Sequence, residues 1–112
     1  MPNREHAAAE QTVKGWGFEH VFTWRDGPYE PQSHTHTQRL LMIFFRTRNA
    51  HYPPHLHAGK TTHLILSGTL SIAYPPATAQ VVYGAGDRVD VEARRVHEVW
   101  MGEEGCVYVV GE

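Results

Sequence analysis

One cysteine, Cys106, stands in 112 residues. A lone thiol closes no internal disulfide, so no disulfide framework organises this chain, and a reducing compartment suits it. Long apolar runs are missing as well. The longest, Leu40 to Phe45, falls far short of the roughly 20 residues that a membrane-crossing helix needs. Neither charge dominates: ten Lys and Arg against twelve Asp and Glu leave −2. That balance argues against a nucleic-acid partner or a membrane surface held by bulk charge. Met1 to Val13 is polar and alanine-rich and has no apolar h-region, so no secretory signal is expected and the expected compartment is the cytoplasm. No nucleophile elbow, P-loop or dinucleotide fingerprint occurs. Gly84-Ala85-Gly86 reads as a turn, because no helical pattern follows it. No internal repeat or low-complexity tract is present, and no helical periodicity recurs after residue 14.

What is present points to a small all-β protein. The length is that of one domain, and an apolar content of 41% can fill one core. Residues 1–14 read as a flexible or short helical N-terminus on Ala7, Ala8 and Ala9, and 15–112 as a single domain. From Phe18 to Trp24 the side chains alternate: Phe18, His20, Phe22 and Trp24 share one face, the pattern of a half-buried strand. His20 is expected to pack there. Asp26-Gly27-Pro28 reads as a turn. Tyr29 to Gln38 is a loop by composition, and Leu40 to Phe45 a buried strand. Short strands follow over Leu64–Ser67, Thr69–Tyr74, Gln80–Tyr83, Arg88–Val91, His97–Met101 and Cys106–Val110. Gly68, Pro75-Pro76, Gly84–Asp87 and Gly102–Gly105 stand between them. Strands at this spacing predict an antiparallel sandwich or barrel.

The chemistry concentrates between Asn49 and Gly68. Four of the nine histidines, His51, His55, His57 and His63, fall there. His55 and His57 are two apart, so on a strand they share a face. Pro53 and Pro54 stiffen the entry to the pair. A third histidine, His97, lies on a distant strand. Two imidazoles from one strand and one from another can hold a metal between sheets. A His-x-His pair is weak by itself, and a second one, His34-Thr35-His36, sits in a polar setting and carries less.

The combined spacing resembles the cupin superfamily. The first cupin motif runs glycine, five residues, His-x-His, three or four residues, glutamate, six residues, glycine. Here Asn49 takes the first glycine's place, His55 and His57 follow, Thr61 stands where the glutamate would be, and Gly68 closes the motif. The second motif opens with Gly-Asp and ends on a histidine, often after Pro-x-Gly. Here Gly86-Asp87 opens it and His97 ends it, with Glu92 and Arg94 in place of that proline and glycine. The match covers Asn49 to Met101. It implies a small antiparallel β-barrel or jelly roll with a metal in the barrel mouth held by His55, His57 and His97. With Thr61 replacing the carboxylate, it is similar to the three-histidine variant. Compared with a small-cupin subgroup, residues 29–48 look like an inserted segment.

The resemblance implies one divalent transition metal, with Fe, Ni, Cu and Zn all suited to imidazole nitrogens. Iron would give oxygenase chemistry; zinc or nickel would act as a Lewis acid or activate water, in either case on a small oxygen-rich metabolite. His63, two residues after Thr61, is placed in the cavity as a fourth ligand, a base beside the ligands or a lining residue. Lys60, if it faces the cavity, anchors an anionic substrate or tunes the metal site. Tyr52 and Tyr74 are candidates by proximity in sequence alone, and Glu98 should point away from His97. The competing reading is a cupin that binds or senses a small molecule without turning it over. A second copy of the chain is the other expected partner, pairing through Leu40–Phe45 and Cys106–Val110.

Overall fold

The computed structural model describes residues 4–27 and 51–112. The expected strand over Leu40–Phe45, the inserted segment 29–48 and the pair His34/His36 lie outside those residues. The described chain holds one helix, α1 (Arg4–Gly15), and six strands: β1 (Val21–Asp26), β2 (His51–His55), β3 (Thr61–Ala73), β4 (Val81–Gly84), β5 (Arg88–Val91) and β6 (His97–Gly111).

The N-terminal helix is longer than the short turn expected. Glu5 lies in its first turn and Lys14 in its last, each complementing the helix dipole. It is anchored by Val13, which is fully buried and lies against Gly111 of β6. Thr23 of β1 adds a hydrogen bond to Glu10 at 2.6 Å.

The sheet is antiparallel throughout and is built on two long strands. β3 and β6 pair along most of their length, from Thr62 with Gly111 to Ala73 with Glu98. At one end of the long strands, β1 pairs with the last part of β6 and β5 with the first part of β3. At the other end β2 pairs with the start of β6 and β4 with the end of β3. Two four-stranded halves result, β1-β6-β3-β5 and β2-β6-β3-β4, sharing the long strands.

These long strands correct the expectation of turns at Gly68 and at Gly102–Gly105. The glycines do not end strands but crease them. Gly68 pairs with Cys106 and Leu70 with Met101, so residues 102–105 stand against Thr69 alone. Gly68 and Gly105 adopt φ of +75° and +74°, a left-handed conformation that costs glycine little. A Cβ on either would run into backbone: the Gly105 carbonyl for Gly68, the Asp26 carbonyl for Gly105. Such bulges bend a sheet and raise its twist, and here they fold one half over the other. The core lies between them. Ile65, Val89, Val91 and Tyr108 come from one half, and Leu70, Ile72, Val99 and Met101 from the other.

Two further expectations change. His20 precedes β1 and is exposed; its backbone pairs with that of Glu112, and the strand's alternation begins only at Val21. Asp26 is not in a turn. It is the last residue of β1 and 2% exposed.

Candidate metal centre

His55 ends β2 and His97 begins β6, and the two are direct cross-strand partners. Side chains paired in this way have Cβ atoms about 4.5–5.5 Å apart, and the two ring centroids lie 4.2 Å apart. His57 arrives differently. β2 stops at His55, so His57 sits in the connection to β3 and not on a shared strand face. The Arg94 N–H donates to the His57 carbonyl at 2.7 Å, which holds that connection against the turn before β6. Arg94 has φ of 62°, and it occupies the place of the glycine in the motif the sequence resembles. This is a left-handed conformation that glycine adopts more readily than arginine. His57 thereby reaches ring-centroid distances of 5.1 Å to His55 and 5.3 Å to His97.

The three side chains bring their nitrogens within 4.8 Å of one another. A point central to them lies no more than about 2.8 Å from each, against roughly 2.1 Å for a closed zinc–imidazole bond. Each nitrogen would have to close by less than about an ångström to reach one ion. Two of the rings are already set for ligation. His55 Nδ1 donates to the Pro53 carbonyl at 2.7 Å and His97 Nδ1 to the Arg95 carbonyl at 2.8 Å. A carbonyl only accepts, so the proton is on Nδ1 and the lone pair on Nε2. Burial lowers the pKa of His57 and of His97, and the neighbouring His55 lowers both further. Neutral imidazole is the form that binds a metal. The donor set fits a divalent transition ion.

Beside the triad lies a cavity of about 270 Å³, close to the lower end of small-molecule sites. The three histidines form part of its wall, with Thr61 and His63 adjoining from β3. Thr61 is 3% exposed, and its Oγ1 has no hydrogen-bond partner among the described residues. His63 falls on the same face two residues later, as strand alternation requires. Its Nδ1 lies 3.4 Å from the Val89 carbonyl. Burial pushes its pKa down to about 4, with His97 and His57 adding to the effect against the Val89 carbonyl.

The remaining wall is built by Phe22, Trp24, Tyr52, Leu70, Val99, Tyr108 and Val110, with exposed Glu112. Behind it sits Asp26, a residue that composition hides inside a turn signal. Its carboxylate accepts from Tyr108 at 2.6 Å, from Tyr52 at 2.9 and 3.0 Å, and from Trp24 Nε1 at 3.1 Å. Charge-assisted hydrogen bonds of this kind make a buried carboxylate tolerable. Desolvation comes first and Asp26 second in raising the pKa of Tyr52 and of Tyr108, so both phenols stay protonated donors. The alternation Phe22/Trp24 was visible in the sequence. The pairing of Tyr108 with Asp26, 82 residues apart, was not.

Other candidates stand apart from the cavity. Lys60 is exposed, its Nζ 4.0 Å from Asp90, and does not line the cavity. Tyr74 lies under the Arg95 guanidinium at 3.9 Å. Glu98 points away from His97, as expected, and meets His51 Nε2 at 2.6 Å. No described helix is long and apolar enough to cross a membrane.

No protein-family model and no curated protein sequence matches the chain. Solved structures do. A cupin-2 domain protein from Shewanella frigidimarina is 23% identical, with 56% of this chain and 60% of that one covered, at a TM-score of 0.50. A cupin superfamily protein from Desulfitobacterium hafniense is 17% identical over 80% of this chain and 60% of its own, at 0.49. The polyketide cyclase RemF from Streptomyces resistomycificus is 21% identical over 54% and 43%, also at 0.49. The matched region spans about three-fifths or less of each of these proteins. The first likeness, with the antiparallel creased sheet, shows that this chain has an all-β cupin fold.

Proposed function

We propose that this chain binds one divalent transition metal through His55, His57 and His97 and uses it to hold and act on a small molecule in the adjoining cavity. The observation that carries this is the convergence of three imidazoles, two with their Nδ1 protons committed to backbone carbonyls. An ion bound there supplies Lewis-acid chemistry to a ligand oxygen, or oxygenase chemistry if it is iron.

The chain's own residues would do the rest. Thr61 Oγ1 and His63 offer the ligand hydrogen bonds beside the triad. With its proton on Nδ1 facing Val89, His63 presents Nε2 as an acceptor. The aromatic wall would present ring surface to the ligand. Lys60, given its ion pair with Asp90, would steer an anionic ligand only from outside the cavity. A binding or sensing role without turnover is the second reading. It is favoured by the Tyr52 and Tyr108 hydroxyls, which are spent on Asp26, leaving His63 as the one described imidazole of the cavity outside the triad to move a proton.

Elemental analysis of untagged protein, beside a His55→Ala/His97→Ala double variant, tests the metal site. About one equivalent of iron, nickel, copper or zinc in the parent and none in the variant is the expected result. No metal in the parent, even after reconstitution, would overturn it. Ligand-induced stabilisation without product formation would select the binding role.

A further inference from the structure

The cavity contains three polar-tipped aromatic residues, Trp24, Tyr52 and Tyr108, yet none of the three turns its polar tip toward a ligand. The Trp24 Nε1, Tyr52 hydroxyl and Tyr108 hydroxyl all donate to the one buried carboxylate of Asp26. What they show the cavity is ring surface, continuous with Phe22, Leu70 and Val110. At the opposite extreme, the polar atoms gather on β3 and at the triad. Thr61 Oγ1 is buried and lacks a partner among the described residues, a state that leaves its hydrogen-bonding capacity for a ligand.

We infer that the cavity takes a compact, mainly apolar ligand, an aromatic or unsaturated ring, with one oxygen substituent at the end facing Thr61 and the imidazoles. This narrows the proposed small molecule from an oxygen-rich metabolite to a ring with oxygen at one end, and it rests on the metal reading only for any second oxygen that reaches the ion. A volume of about 270 Å³ at roughly 30 Å³ per water-sized atom admits on the order of ten heavy atoms. A sugar acid or a polyol of that size would leave several hydroxyls against ring faces with no partner, a desolvation penalty that nothing on this wall offsets.

The test is calorimetric titration of phenol, catechol, glycerol and tartrate into the full chain, both metal-reconstituted and chelator-treated. Phenol is expected to bind both forms at least tenfold more tightly than glycerol, and catechol to bind the reconstituted form at least tenfold more tightly than tartrate. Thr61→Val keeps the side-chain shape and should weaken phenol roughly three- to tenfold without lowering the melting temperature. Val110→Phe, which narrows the ring-lined wall, should abolish phenol binding. Glycerol or tartrate binding as tightly as the aromatic probes, or no aromatic binding in either form, would overturn the inference. Phenol binding to a chain that takes up no metal would uphold it and sink the metal reading alone.

Discussion

Replacing Gly105 with alanine tests the crease on which the cavity depends. Two separable costs arise there. The first is conformational: φ is +74°, and a left-handed conformation costs an L-residue about 1–2 kcal/mol. The second is steric. The new Cβ would overlap the Asp26 carbonyl oxygen and stand 3.1 Å from the Gly27 carbonyl carbon, atoms of backbone that yield only if β1 shifts. That shift moves Asp26, the acceptor for Tyr52, Tyr108 and Trp24. Overpacking of this kind costs a further 1–3 kcal/mol or so. The sum, roughly 2–5 kcal/mol, is a large share of the 5–15 kcal/mol typical of a domain. At about 4–8 °C per kcal/mol, the thermal midpoint should fall by at least about 8 °C. Two other glycines separate the terms. Gly86 has φ of +90° with nothing near its Cβ, and Gly84 has open space without a positive φ. Gly86→Ala should show the conformational term alone, and Gly84→Ala should change little. The assay is urea unfolding followed by tryptophan fluorescence at constant m. If Gly105→Ala costs no more than Gly86→Ala, β1 and β6 do not approach each other at the crease as described, and the reasoning fails.

Acid should destabilise the metal-free protein through His63. Its pKa is lowered from the ordinary 6.5 to about 4, so between those values the unfolded chain binds more protons. Stability is therefore full above about pH 6.5 and is lost as pH falls toward 4, by about 3 kcal/mol at most. His63→Phe should reduce that slope to the part left by His57 and His97, whose pKa values are also lowered, and an unchanged slope would refute the burial of a neutral imidazole there. Asp26→Ala should cost about 2–4 kcal/mol, because three donors lose their acceptor. Its near-UV circular dichroism should weaken as the wall loosens; an unaltered spectrum and midpoint would show that the wall does not depend on this carboxylate.

Strand pattern and motif spacing made the fold class legible. Alternation and closely spaced turn residues require an antiparallel all-β chain, because period-two patterning exposes one face and buries the other. The separation of His55 and His57 from His97 pointed to the three side chains that the fold brings together, because a fixed number of residues between fixed turns has few ways to fold. Strand boundaries were less legible. Gly68 and Gly102–Gly105 look locally like ends of strands, and only the partner strand decides that they are bulges within β3 and β6.

The site divides in the same way. Motif spacing named the three histidines, but not how they meet. His55 and His97 converge through cross-strand register, and His57 through a hydrogen bond from Arg94, a residue whose left-handed backbone its identity does not announce. The most distant relation was the least visible. Asp26 beside Gly27 has the local signature of a turn, and of its three donors only Trp24 is near it in sequence. Tertiary structure brings Tyr52 and Tyr108 to it from two other strands. Sequence alone determined the sheet, which follows from periodicity, and motif resemblance singled out the three histidines. Which polar atoms are consumed and which, like Thr61 Oγ1, are left without a partner among the described residues, was decided by packing, since hydrogen bonds between distant strands exist only once the chain has closed.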